Sequence, residues 1–223
     1  TSDNCGTFML LLNKDEFNCF DIGANIVTLT VEDNGGNSDF CDATVTVEDN
    51  LNPTALCLSA TIELDADGNA SIVASQVDAG SSDNCQAISL SINNDTFDCD
   101  DIGSNITTLT VTDDDGNTDE CNATVIVQDN FSPTAVCQDL TVDLDSGGNA
   151  SVTGAQVNNG STDNCDGLIF SLDISSFDCS TTGPNTVILT AEDEAGNIDT
   201  CSAIITVLEA VPPSALCADI SVE

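Results

Sequence analysis

Histidine, arginine, tryptophan and tyrosine are absent from this chain of 223 residues, and its basic side chains come to one, Lys14. Without imidazole there is no ready general base near neutral pH, and without guanidinium no clamp for an oxyanion or a phosphate. Two carboxylates could form a glycosidase pair, but that chemistry needs a substrate bound and distorted, and only eight Phe offer apolar contact. The residue types therefore argue against an enzyme. The missing basic patch equally excludes nucleic acid and anionic lipid surfaces as partners, since nothing would meet phosphate. No apolar run is long enough to cross a bilayer, and neither a signal peptide nor a lipidation motif is found, so the segment reads as an interior part of a longer secreted chain.

What is present is acid and sulfur. The chain carries 39 Asp and Glu and a net charge of -38. Charge of one sign at that density opposes compaction by self-repulsion, so the carboxylates need screening by salt or bridging by divalent cations. Twelve cysteines without any His, and with no CxxC pair, argue against structural zinc. An even count at regular spacing reads as disulfides formed in an oxidising place outside the cytoplasm.

Self-similarity appears at a period of 80 residues: Cys5, Cys85 and Cys165; Cys19, Cys99 and Cys179; Cys41, Cys121 and Cys201; Cys57, Cys137 and Cys217. Around them the same phrases return, SDNC from Ser2 and Ser82, TDNC from Thr162, and F-[ND]-C from Phe17, Phe97 and Phe177. The longest is VTDDDGNTDEC from Val111 to Cys121, which recurs as VEDNGGNSDFC from Val31 and AEDEAGNIDTC from Ala191. Each copy sets a tight acidic turn between two alternating segments, the pattern of a β-hairpin.

The hydropathy period inside a repeat is two. Thr107, Leu109 and Val111 alternate with polar neighbours, as do Cys121, Ala123, Val125 and Val127, and Leu140, Val142 and Leu144. Turn residues punctuate these runs at short intervals, which predicts an all-β chain of tandem immunoglobulin-like sandwiches with no significant helix. Pro53 and Pro133 end the ladders before them and mark linkers. The expected organisation is the back part of a repeat at 1–48, complete repeats at 49–128 and 129–208, and the first strand of another at 209–223.

The order linker-Pro-x-x-x-Cys, S-x-D-N-C, strand, D-x-x-G-N-x-x-x-C and closing strand resembles the hyalin repeat, an immunoglobulin-like extracellular module. With the F-D-C cysteine and the fixed period, it is most similar to the tandem repeats of giant cell-surface adhesins of Bacteroidetes, including the gliding-motility adhesin. That resemblance implies an extracellular stalk or filament at the cell surface, serving attachment or gliding. Its partners would be neighbouring repeats and other copies of the chain. The alternative is a calcium-dependent carbohydrate-binding module in each repeat, for which the lack of Trp and Tyr leaves little surface to stack a sugar.

Four cysteines per repeat allow three connectivities. The preferred expectation pairs Cys85 with Cys99 and Cys165 with Cys179 as local clasps, with Cys5 and Cys19 as the equivalent pair, and ties Cys57 to Cys121 and Cys137 to Cys201. The rival joins Cys41 to Cys57 across a repeat boundary.

Asp, Asn and Gly at hairpin tips are first of all turn formers. Their convergence suggests more. A hairpin tip preceding a strand that runs into the next linker lies at the opposite end of its domain, near the entry linker and the SDNC loop. One end of a repeat would then collect Asp49, Asn50, Asp83, Asn84, Asp113, Asn117 and Asp119, with Asp115 beside them. The next would collect Asp129, Asn130, Asp163, Asn164, Asp193, Asn197 and Asp199. Hard oxygen ligands in such number suit structural Ca²⁺, which takes six to eight. The arrangement resembles the cadherin junction, and the tip from Asp65 to Asn69 points toward the following site. An EF-hand loop starting at Glu63 is ruled out, because its twelfth position falls on Ala74.

Overall fold

The computed structural model describes residues 7–85 and 87–209. Cys5, Cys217 and most of the segment 209–223 lie outside them. The chain is almost entirely β. Its strands are β1 (Phe8–Leu12), β2 (Gly23–Asp33), β3 (Ser38–Val47), β4 (Ala60–Glu63), β5 (Asn69–Ser71), β6 (Ile88–Ile92), β7 (Thr96–Asp98), β8 (Gly103–Asp113), β9 (Thr118–Gln128), β10 (Leu140–Asp143), β11 (Asn149–Ser151), β12 (Ile169–Leu172), β13 (Ser176–Asp178), β14 (Gly183–Glu192) and β15 (Ile198–Leu208). The only α-helical turn among the described residues is Gly154–Val157.

Two compact units divide the chain, and neither is one continuous stretch. The first gathers residues up to Ala60 with Ile72–Asp95 and Ile106–Val125; the second gathers Thr61–Ser71, Thr96–Asn105 and the residues from Ile126 on. In the first, β2 pairs antiparallel with both β1 and β3. The strand β6 lies antiparallel to β8, with Leu90 opposite Val111.

The second unit shows most clearly why the alternating pattern folds as it does. One sheet has the order β10-β15-β14-β12, and β11 and β13 form a second. Side chains on a strand point alternately to opposite faces, so every second residue of β14 and β15 meets the core. Val187, Leu189, Ala203, Ile205 and Val207 are all buried there. Phe177 from β13, with Leu144, Val152 and Val157, completes the cluster, which is the interior of a β-sandwich. Between β10 and β15 the pairing is parallel, Val142 opposite Val207, so the first strand of the sandwich lies along the last. In the first unit the same alternation buries Thr107, Leu109, Val111, Ala123 and Val125.

The disulfides correct three of the five expected pairs, Cys5–Cys19 among them because Cys19 is bonded to Cys85. Cys57–Cys121 and Cys137–Cys201 form as expected, but the other two are Cys19–Cys85 and Cys99–Cys165, and no local clasp joins Cys85 to Cys99 or Cys165 to Cys179. The reason is topological. A local clasp needs the chain to fold back on itself, because bonded cysteines have Cα atoms within about 7 Å. Instead β12 pairs with β14 in the larger sheet and β13 with β11 in the smaller one, so the stretch from Cys165 to Cys179 crosses from sheet to sheet. Cys179 is consequently exposed and unpaired among the described residues, as is Cys41, which excludes the Cys41–Cys57 bridge.

Candidate metal centre

Each acidic hairpin tip is wound around its own first aspartate. The Asp113 Oδ1 accepts the N–H groups of Asp115 at 3.0 Å and Asn117 at 2.8 Å, and its Oδ2 accepts the Asn117 amide at 2.8 Å. Gly116 sits at φ +92, a conformation open to glycine at little cost. Asp193 is held alike, by the Asn197 N–H at 2.7 Å and the Asn197 side chain at 2.8 Å. The hydrogen bonds turn the carboxylate away from solvent, leaving Asp113 8% and Asp193 4% exposed.

The entry linkers and the SDNC loops bring further carboxylates to these tips. Asp49, Asp83 and Asp113 each offer an oxygen within 4.8 Å of the others, and so do Asp129, Asp163 and Asp193. Each triad falls wholly within one of the two units. Asp129, Asp163 and Asp83 each use one oxygen locally and leave the other free, whereas both oxygens of Asp49 accept, from the Leu51 N–H at 3.0 Å and the Asn84 amide at 3.2 Å. Asp129 Oδ1 accepts from the Phe131 N–H at 3.0 Å and the Asn164 amide at 3.2 Å, while its Oδ2 is buried with no partner. Asp163 Oδ2 accepts the Cys165 N–H at 3.3 Å and Asp83 Oδ2 the Cys85 N–H at 2.7 Å; in both, Oδ1 is buried and unpartnered. The Asn164 side-chain oxygen is a fourth buried atom without a donor.

No protein cation can answer this charge, because Lys14, the sole basic residue, is paired with Asp21. The cost shows in proton affinity. Burial, with the charges of Asp129 and Asp193 nearby, raises the Asp163 pKa above the ordinary carboxylate value. Asp115 is raised as well, by desolvation and then by Asp113, Asp49, Asp114 and Asp83, so the negative field of the first triad reaches the hairpin tip. Asp113 goes the other way: burial pushes it up, but the hydrogen bonds from Asn117, Gly116 and Asp115 outweigh that and lower it. Oxygens that are buried, negative and without donors are the donor set a hard cation takes, and Ca²⁺ binds such carboxylate and amide oxygens.

The remaining sequence-derived residues have other places. Asp119 and Asp199 each accept a backbone N–H from the chain beyond the linker, Ala55 at 2.8 Å and Ala135 at 2.9 Å. The bond from Ala135 leads the causes that lower the Asp199 pKa. Both lie outside the triads and tie the linker to the closing strand. Asn117 and Asn197 donate to the backbone carbonyls of Asp49 and Asp129, each at 3.1 Å, and so position the linker aspartates. Asn84 donates to Asp49 at 3.2 Å. Asn50 and Asn130 are exposed.

Sequence reading missed the acids that line a cleft beside the second triad, among them Asp98, Asp100, Asp166 and Glu194. They come together because the Cys99–Cys165 bridge draws the Asp98–Asp101 turn to the TDNC loop. The flanking of Cys99 by Asp98 and Asp100 was the available signal, but its meaning depends on the bridge. The tip from Asp65 to Asn69 reaches the same place: the Asn164 amide donates to the Asp65 carbonyl at 3.2 Å.

No protein-family model matches the chain, and no curated protein matches it. Among solved structures, the Protocadherin GammaB4 extracellular domain overlaps 83% of this chain and 36% of its own length at 18% identity and TM-score 0.37. Human Protocadherin-24 EC1-2 overlaps 72% of this chain and 100% of its own at 13% identity and TM-score 0.38. A three-domain titin fragment, I67–I69, overlaps 93% and 84% at 12% identity and TM-score 0.40. The chain thus spans about a third of the first of these. Superpositions with TM-scores this low carry neither fold nor function; the sandwich rests on its own strand pairing and core.

Proposed function

We propose that this chain is a structural repeat region of an extracellular surface protein, a stalk or filament of tandem sandwiches at 49–128 and 129–208 whose junctions bind Ca²⁺. The observation that carries the reading is Asp129. The residue is 95% buried, and its carboxylate lies beside two others and keeps an unpartnered oxygen in a chain with no spare cation. Burying an ionised group without a counter-charge costs several kcal/mol, and a divalent ion offsets that for all three groups together. The ion would hold the linker at Asp129 to the TDNC loop at Asp163 and the hairpin at Asp193. Four disulfides support an oxidising, extracellular location. The likeness of the repeat motifs to hyalin-type modules of bacterial adhesins supports service in attachment or gliding motility, with neighbouring repeats as the immediate partners. Calorimetric titration with CaCl₂ tests the reading. About two ions should bind per chain, one for each triad, and Asp129→Asn should remove one of them; absence of saturable binding overturns it.

A further inference from the structure

The disulfides fall into two series that interleave along the chain. Cys19–Cys85 and Cys99–Cys165 each span 66 residues, and Cys57–Cys121 and Cys137–Cys201 each span 64. Within the first series the next bridge begins fourteen residues after the last one ends, at Cys85 to Cys99; within the second the gap is sixteen, Cys121 to Cys137. Each series alone is a continuous covalent track that short-circuits most of an 80-residue period. The tracks use different material. The first runs through β6 and β7, the second through β9 and the linker containing Asp129 and Pro133.

We infer that the two series act as redundant tension rails, so that a pulling force at the ends bypasses the long strands and cannot draw the chain out even when the sandwiches unfold. A free chain extends by at most about 3.6 Å per residue, so an unbridged period of 80 residues could reach about 290 Å. On either rail it is limited to about 50–60 Å of backbone plus one bridge, whose Cα–Cα distance is 5.3–5.8 Å. A single eleven-residue strand already spans about 37 Å. Unfolding therefore adds little length, and loss of any one bridge transfers the load to the other rail. This refines the stalk reading, on which its biological use rests: the bridges limit extension.

Single-molecule pulling between the termini, after alkylation of unpaired thiols and with the remaining bridges of each variant established by non-reducing peptide mapping, tests the inference through the fully stretched contour length, a quantity set by covalent connectivity. By the shortest covalent path the oxidised chain should reach about 300 Å. Breaking the first rail (Cys19, Cys85, Cys99 and Cys165 all →Ala) should lengthen it by only about an eighth, and breaking the second (Cys57, Cys121, Cys137 and Cys201 all →Ala) by only about a fourteenth. Removing both, or adding reductant, should give about 800 Å. A large extension from either single-rail variant, or recovery of Cys85–Cys99 peptides from the oxidised chain, overturns the inference. Neither result depends on calcium, so failure here is separable from failure of the metal sites.

Discussion

Aspartates that share a triad meet opposite electrostatic environments. Asp113 is wrapped by donors that favour its charge, whereas Asp163 is desolvated beside two like charges. Because folding raises the Asp163 pKa, the folded chain holds that proton more tightly than the unfolded one. The resulting penalty is absent below the unfolded-state value of about 3.9 and fully present once pH exceeds the raised value. In EGTA, Asp163→Asn should therefore melt higher than the parent at pH 7, and the gap should close as pH falls toward the unfolded-state value; in calcium the order should reverse, because the variant loses a ligand. Equal melting of variant and parent in EGTA at pH 7 would contradict this. Gly68 makes a second residue-scale case. It sits at φ +74, and a Cβ there would lie 2.7 Å from the Cys99 sulfur and 2.8 Å from the Asn164 carbonyl oxygen. Gly116→Ala, with a similar φ and open space, should cost about 1 kcal/mol in chemical denaturation, and Gly68→Ala about 3. The Asp-x-x-Gly-Asn turn was readable from sequence, since these residues fold such tips by themselves. The orphan oxygen of Asp129 was not, because it depends on which neighbours a loop far along the chain supplies.

At the scale of elements, the period-two pattern carried most of the fold. The alternation of Leu109 and Val111, or of Ala123, Val125 and Val127, marks the core face of β8 and β9, and all five side chains are buried. Ile205 is fully buried while its neighbour Ile204 is 44% exposed. Ile205→Ala should cost about 2–5 kcal/mol and Ile204→Ala about 0.5 or less, read from denaturant midpoints. The bridges were legible only in part. Cys137–Cys201 joins the chain before the first strand of the sandwich to the last strand, which lies parallel to that first strand, and strand pattern implies as much. The Cys99–Cys165 bridge depends on the chain changing sheets between β12 and β13, and short strands of three or four residues give no sequence signal for that change. Removing the 64-residue bridge as Cys137→Ala with Cys201→Ala should lower stability by about 4 kcal/mol on the chain-entropy account.

At the scale of the whole molecule, the governing fact is a net charge of -38 with a single basic residue. Self-repulsion of that size is relieved by any salt, through screening over about 10 Å at 0.1 M. Relief at the triads is different in kind, because carboxylate oxygens 4.8 Å apart or less on buried and half-buried aspartates are best bridged by an ion among them. The most direct measurement of the calcium account is thermal unfolding of the oxidised chain in EGTA, in millimolar CaCl₂ and in NaCl of matched ionic strength. An ion held a hundredfold above its Kd adds about 2.7 kcal/mol, which for domains of this size raises Tm on the order of 10 °C. The account predicts that rise in CaCl₂ and a much smaller one in NaCl; equal melting in the two salts, or no change on adding EGTA, would contradict it.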